Sequence, residues 1–452
     1  MRSSRYFASS IRIQLIVSRI KRAAPNIVAS KNSEKKTVTT CFCLPTYRLP
    51  YLLHDFTLQR PSEVYENGAL ARAVDRSLEI KCMRMRAFIN KHRDSLHLHI
   101  AQLRQFASSP GGLVLDEIRA IVWPILANCL VADTFREHHS ASTTADSDFE
   151  SALSNLSDEG ERSDSPGSSR STVIEAVTLS DLKGHGEWNQ VEMDVHRTLA
   201  RFPPNISDTQ RTLLQNELTP LIVRILWRSP RFRYYQGFHD VCLTLLLVLG
   251  VESAEHVGFL LAEYGAFNGY LLQSLEETVL RDLDLMYVIT WKVDAELEKV
   301  MRSVELGSLF ALSWPLTWFS HALHHYRQIV LCFDLFLASH PLMPVYFTTA
   351  VVLWRSASIL GASRDMPSLH HLLNVMPDDV PVQALVADAQ DLFRMLPPAS
   401  IRGPLLDDYR RVLKEASVRK PSLPTPSLRA WLVAGTATAS IYLLSRYLFL
   451  PS

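Results

Sequence analysis

Apolar side chains in this chain recur three and four positions apart, and the alternation expected of half-buried strands is missing. Leu283, Met286, Ile289, Val293, Leu297, Val300 and Val304 form one stripe at helical spacing, which places them on a single helix face. Trp188, Val191, Val195, Leu199 and Phe202 form another. Upstream, residues 79–96 read as a charged helix. A second helix near residues 112–130 offers Leu113, Leu115, Ile118, Ile121, Val122 and Leu126 for burial. From residue 187 to about 414 the pattern is helical almost throughout, with Pro203-Pro204, Pro230, Pro315, Pro341, Pro344 and Pro397-Pro398 marking ends or first turns. The apolar run at residues 241–251 is too short to cross a bilayer and reads as core. These patterns predict an all-α fold, with one multi-helix domain over residues 79–400.

Three segments depart from the pattern. Residues 139–172 hold eleven serines and seven acids with almost no large apolar side chains. Such a stretch cannot bury enough surface to offset its ordering entropy, so it is expected to be a disordered acidic insertion. The first 33 residues carry seven Lys or Arg and no acid. Residues 1–78 are therefore expected to be a basic extension outside the core, and their start resembles an organelle transit peptide. At the other end, residues 401–426 close a helix and continue as a proline-rich linker. The 21 residues from Ala430 to Leu450 are then apolar apart from Arg446, enough to span a membrane at about 1.5 Å per residue. Arg446 lies near the far end, where its long stem can carry the charge to the interface. Arg419, Lys420 and Arg429 on the near side favour a cytosolic main domain. The tail at residues 427–450 is thus expected to be a membrane anchor.

Composition narrows the function only by exclusion. With 452 residues, 47% apolar, the chain can build a large core, and its formal charge of +1 gives no global case for nucleic acid. The six cysteines, Cys41, Cys43, Cys82, Cys129, Cys242 and Cys332, have no Cys-x-x-Cys spacing, which suits free thiols in a reducing compartment. His321, His324 and His325 read as a helix-spaced group, but no carboxylate pattern supports a metal there, and none is expected. No phosphate-binding Gly-rich loop ending in Lys-Ser or Lys-Thr appears, so the chain is not expected to bind nucleotide itself.

Two short segments carry candidate chemistry. Asp194 and Arg197 are three apart on the second stripe's helix, so the carboxylate can hold the guanidinium in a fixed rotamer. Taken alone, they read as a surface ion pair. The segment Arg233-Tyr234-Tyr235-Gln236-Gly237-Phe238 leads into a very apolar helix. Gly237 permits a special dihedral there, and Gln236 at the helix mouth could orient a water. Taken alone, it reads as an inter-helix loop.

Together, Val191-x-x-Asp194-x-x-Arg197-Thr198 followed by Tyr234-x-Gln236-Gly237 resemble the two signature motifs of TBC-domain Rab GTPase-activating proteins. Arg119-x-x-x-Trp123-Pro124-x-Leu126 resembles that family's entry motif. The stretch from Ser313 to Phe319, continuing to Phe333-Asp334, resembles its distal region. The resemblance covers roughly residues 103–395 outside the acidic insertion. It implies a helical domain that accelerates GTP hydrolysis on a GTP-state Rab by supplying Arg197 and Gln236 in trans. Asp194, Tyr234 and Gly237 would support these two, and Arg119 and Trp123 would belong to the scaffold. The partner would carry GTP and magnesium, with no cofactor on this chain. A Rab-binding scaffold without catalysis is the alternative. Most of the family continue the second motif with Met-Asn, whereas this chain has Phe238-His239-Asp240. That departure, with Leu312-Ser313-Trp314, the 339–344 stretch and the apolar tail, resembles the endoplasmic-reticulum-anchored member of the family. An early secretory membrane is therefore expected, with the mitochondrial outer membrane as the lesser alternative.

Overall fold

The computed structural model describes residues 68–142, 177–204 and 206–418, and all regular structure among them is helical. The helices of nine residues or more are α1 (Gly68–Lys91), α2 (Ile100–Ser108), α3 (Asp116–Ser142), α4 (Trp188–Arg201), α5 (Asp208–Trp227), α6 (Phe238–Glu263) and α7 (Leu285–Val293). They continue as α8 (Ala295–Ser303), α9 (Tyr326–Leu337), α10 (Met343–Trp354), α11 (Met366–Asn374), α12 (Val382–Met395) and α13 (Pro404–Val418). The chain divides into a unit ending at Pro398, which holds α1 to α12, and a second beginning at Ala399, whose longest described helix is α13. Residues 1–67 of the predicted amino-terminal extension, residues 143–172 of the predicted insertion and the anchor at 427–450 lie outside the described residues.

The core of the first unit is centred on α6, against which α3, α4 and α5 all pack. Helix α6 is sheathed because its sequence is apolar on every side: from Phe238 to Val248 each residue is buried. It is long and apolar enough to cross a membrane, yet most of its apolar stretch is covered by the fold. The 241–251 run is therefore core, as its burial shows. Gly250 interrupts it with φ +72°, a value that glycine adopts without the Cβ penalty. A second cluster joins α10 to α7 and α12, while α9 packs on α2, α3 and α12.

Local chemistry sets the helix starts. Ser207 and Gln210 form a reciprocal capping box at α5, satisfying two donors that a helix start leaves unpaired. Asp294 accepts from the Leu297 amide at α8, and Asp365 from the Ser368 amide at α11. Lys81 of α1 donates to the carbonyls of Phe106, Ser109 and Pro110 at 2.9, 3.2 and 2.9 Å and also to that of Gly112. It ties α1 to the turn between α2 and α3, and burial lowers its ammonium to about 8.

Four expectations are corrected. The stripe from Leu283 to Val304 is not one helix: Asp294 leaves helical geometry at φ −146° and ψ 84°, so α7 ends and α8 begins there. The stripe survives because both helices face the same core; Leu297 and Val300 are buried like Met286 and Ile289. Helix α1 starts at Gly68 instead of near residue 79, since Ala69, Leu70, Ala71 and Ala73 are strong helix formers that a purely hydrophobic pattern overlooks. Helix α3 runs from Asp116 to Ser142. It starts later than expected because Gly111, Gly112 and Val114 hold positive φ, and it extends past residue 139. Finally, His321, His324 and His325 lie in the turn-rich segment between the short helix Ser313–Leu316 and α9, so they share no helix face.

Candidate functional site

Helix α4 turns its apolar stripe inward, with Trp188, Val191, Val195 and Leu199 buried. Asp194 and Thr198 lie beside that stripe and are also buried, whereas Arg197 points outward with 66% of its side chain exposed. Burying an ionised carboxylate is costly unless donors surround it. Asp194 has them: Oδ1 accepts from Arg197 Nη1 at 3.0 Å, and Oδ2 lies 3.2 Å from Gln190 Nε2 and 3.1 Å from the Tyr234 hydroxyl. One carboxylate thus joins the outward arginine to a loop forty positions downstream.

That loop is built by alternation. The Tyr234 hydroxyl reaches Asp194, the buried Tyr235 donates its hydroxyl to the Leu316 carbonyl at 2.9 Å, and Gln236 is exposed between these anchors and α6. The Phe238 amide bonds the Tyr235 carbonyl at 3.2 Å, closing a turn with Gln236 and Gly237 at its centre. Gly237 holds φ +121°, and a Cβ there would lie 2.9 Å from Thr317 Cγ2. Both dihedral and space therefore require glycine. Burial and the neighbouring Asp194 push the Tyr234 phenol far above its ordinary value, so it stays a hydroxyl.

Behind this surface lies a polar chain that the sequence marks only by its departure from the usual Met-Asn. The Tyr234 hydroxyl is 2.6 Å from His239 Nδ1, and His239 Nε2 is 2.9 Å from Thr198 Oγ1. Thr198 Oγ1 in turn is 3.0 Å from Asp240 Oδ1, whose Oδ2 is 2.8 Å from His321 Nδ1. Arg201 Nη2 stands 3.2 Å from the same His321 nitrogen and 3.9 Å from Asp240. Burial lowers His239 below its ordinary value, against the pull of Asp240 and Asp194. Burial raises Asp240, but the His321 hydrogen bond and the charges of His239, His321 and Arg201 hold it below the usual carboxylate range. The signal for this chain is the polar pair His239-Asp240 opening an otherwise apolar helix. Beyond Asp240, a pocket of about 200 Å³ is lined by Arg201, Phe202, Pro204, Leu243, Thr244 and Leu323, among others.

Arg119 and Trp123 lie elsewhere, inside α3. The buried Asp334 of α9 accepts from Arg119 Nη2 at 2.9 Å, the Trp123 indole at 2.8 Å and the Leu113 amide at 2.9 Å. Arg119 also reaches Asp116 at 2.8 Å, and Tyr326 donates to that same carboxylate at 2.9 Å. Burial pushes the Asp334 carboxyl up, opposed by Arg119 and the two neutral donors. This network clamps α3 to α9, with Arg119, Trp123 and Asp334 all buried. His324, grouped by sequence with His321, pairs with Asp378 at 3.0 Å instead.

An exposed guanidinium and an exposed primary amide, tied through one buried carboxylate, can respectively donate to an anionic group on a partner and orient a water beside it.

Residues 116–360 match the Rab-GTPase-TBC domain family. The chain is 36% identical over 315 residues to mouse TBC1 domain family member 20, covering 70% of this chain and 68% of that protein. It is 36% identical over 302 residues to the human protein of that name, covering 67% and 65% respectively. The GTPase-activating protein gyp10 of Schizosaccharomyces pombe is 29% identical over 233 residues, 50% of this chain and 60% of that one.

Proposed function

The chain belongs to the Rab-GTPase-TBC domain family, and from that premise we propose that it accelerates GTP hydrolysis on a Rab by inserting Arg197 and Gln236 into the partner's nucleotide site. A Rab hydrolyses GTP slowly because charge developing on the phosphates is under-stabilised and the attacking water is poorly placed. Arg197 would meet that charge with a planar fork of donors that lysine lacks. Gln236 would hold the water, accepting from it through the amide oxygen while the amide nitrogen donates elsewhere. Asp194 fixes the arginine's direction, Tyr234 ties the loop to that carboxylate, and Gly237 permits the bend that sends Gln236 outward. Arg119 and Trp123 act only by holding α3 to α9. The GTP and its magnesium belong to the partner.

The observation that carries this reading is the Asp194 carboxylate, which holds Arg197 with one oxygen and meets Tyr234 with the other. It couples the helix bearing Arg197 to the loop bearing Gln236. The test is single-turnover GTP hydrolysis on a panel of Rabs. Acceleration of at least one Rab, abolished in Arg197→Ala, is the expected result. Binding to GTP-state Rab with no acceleration by the wild-type chain would make it a holding module instead.

The apolar tail at residues 427–450 would anchor the domain on the membrane that carries its lipidated partner, raising encounter frequency without any new contact. Its length, its uncharged run and the basic residues before it support an anchor with the main domain in the cytosol. The resemblance to the endoplasmic-reticulum-anchored member supports that membrane and early secretory traffic. Removal of residues 427–452 is expected to leave GAP activity in solution intact while releasing the protein from membranes. Retention of the truncated form on membranes would place the anchor elsewhere.

A further inference from the structure

We propose that His239 is a positioning residue that locks the helix bearing Arg197 to the turn bearing Gln236. The proposal rests on the Rab-directed reading of the site and adds a residue to it. The ring lies between the two elements. On one side Nε2 meets Thr198, the residue immediately after Arg197, at 2.9 Å. On the other, Nδ1 meets the Tyr234 hydroxyl at 2.6 Å, and the Gly237 amide points at the same nitrogen from 3.4 Å. His239 is 4% exposed, so water cannot replace either contact. Asp194 makes one link between α4 and the loop, and His239 makes the second. Two links in different directions fix an orientation that one alone leaves free to pivot.

The count of hydrogens shows how the link is maintained. Four contacts run in a row from Asp194 through Tyr234, His239 and Thr198 to Asp240. Tyr234, Thr198 and a neutral imidazole bring one hydrogen each, one fewer than the contacts. With the ring hydrogen on Nε2, the ring donates to Thr198 and accepts from Tyr234, and the contact between Tyr234 and Asp194 is left without a hydrogen. With it on Nδ1, the ring donates to Tyr234 and accepts from Thr198, and the shortfall moves to Asp240. The contacts to Tyr234 and Thr198 survive in either case, whereas the Gly237 amide can donate to Nδ1 only with the ring hydrogen on Nε2. Each carboxylate also has other donors: Gln190 and Arg197 at Asp194, and His321 at Asp240. The charged and titratable groups facing the ring are Asp194 and Arg201 of α4, Tyr234, Asp240 of its own helix, and His321.

The test is steady-state hydrolysis with a responsive GTP-loaded Rab as the varied substrate, using the full chain and the variants His239→Phe, His239→Asn and His239→Gln, with Arg197→Ala in parallel. Asparagine keeps a hydrogen-bonding atom near the Nδ1 position, glutamine near Nε2, and phenylalanine near neither. His239→Phe is expected to lower kcat by about 10–100-fold, as displacement of a reacting group by about an ångström does. KM for the Rab should stay unchanged, because Rab contact itself is not disturbed. His239→Gln should recover more of kcat than His239→Asn, since it keeps the contact to Thr198 that reaches α4. Should His239→Phe fail to fold, the ranking of Gln above Asn in kcat decides. Full kcat in His239→Phe, equal losses in the folded variants, or a loss confined to KM each overturns the positioning role while Arg197→Ala still reports on the wider reading. A wild-type chain that accelerates no Rab removes both.

Discussion

Two arginines in this molecule are paired with aspartates buried to the same degree, yet one guanidinium is sealed and the other is bare. Arg119 and Asp334 have side-chain exposures of 5% and 0%, and Arg197 and Asp194 have 66% and 1%. The first pair spans α3 and α9 across 215 positions, with the indole of Trp123 and the amide of Leu113 completing the acceptor shell. Every donor of consequence is spent internally. In the second pair the carboxylate accepts from Gln190 one turn earlier on the same helix and faces Tyr234, while the guanidinium spends one contact on it and extends into solvent. A buried carboxylate under an exposed arginine fixes a cation without consuming it. The same two side chains therefore serve as a clamp in one region and as a presented group in the other, and the difference lies in which partner is sealed.

The sharpest way to break this contrast is to remove the presented cation. Arg197→Ala is expected to lower the stimulated hydrolysis rate by about 10³–10⁵-fold, which corresponds to about 4–7 kcal/mol of barrier. Arg197→Lys should lose most of the activity as well, for want of the planar fork. The melting temperature should fall less than in Arg119→Met, because the Arg197 side chain is 66% exposed and Gln190 and Tyr234 still face the buried Asp194 carboxylate. A variant that melts as low as Arg119→Met would place Arg197 in the scaffold class and erase the distinction.

The sealed pair should respond the other way round. Arg119→Met leaves the fully buried Asp334 carboxyl with only neutral donors, and is expected to cost about 3–5 kcal/mol of stability. The rate per folded molecule should remain near wild type. Denaturant unfolding checks the first statement, and activity normalised to the folded fraction checks the second. Replacing both partners, as Arg119→Met with Asp334→Leu, should restore part of the loss by removing that carboxyl too. If the double variant is no more stable than the single one, the clamp depends on Trp123 and Leu113 instead of the ion pair.

The two pairs also differ in how far the amino-acid sequence alone reveals them. Asp194 and Arg197 lie three apart on one helix, so their pairing is local and follows from spacing. The helical class and the sheathed character of α6 follow from composition at each turn. Tyr234 against Asp194, forty positions apart, and Asp334 against Arg119, 215 apart, are tertiary contacts that no local periodicity encodes. Only resemblance to a family pattern brings those residues together. His321 shows the cost of extending periodicity too far. Its spacing from His324 and His325 suggests a helix face, but the turn-rich segment after Leu316 separates them, and His321 serves Asp240 instead. Asp294 shows the converse: an apolar stripe continues through a break because tertiary burial, not helix continuity, selects its residues.

The smallest expected effect is proton-linked and comes from the polar chain behind the presented arginine. Burial lowers His239 below its ordinary value of 6.5, so the fold prefers the neutral ring. Unfolding then takes up a proton in the window between the lowered folded value and 6.5, and stability in that window rises with pH. Burial raises Asp240, but its hydrogen bond to His321 and nearby positive charge outweigh this and hold it below 3.8. The same pH direction follows for both groups, since each binds protons more readily in the unfolded chain. The Asp240 contribution is present above 3.8 and is lost as pH falls through its folded value. Acid should therefore weaken the fold in two successive steps, the His239 step first. Melting temperatures of the wild-type chain and of His239→Asn, compared from neutral pH down through the histidine window, isolate that first step, because asparagine does not titrate. The wild type should lose more on acidification than the variant. Parallel curves would mean that His239 charges as readily inside the fold as outside it, and the sealed character assigned to this side of the site would then fail.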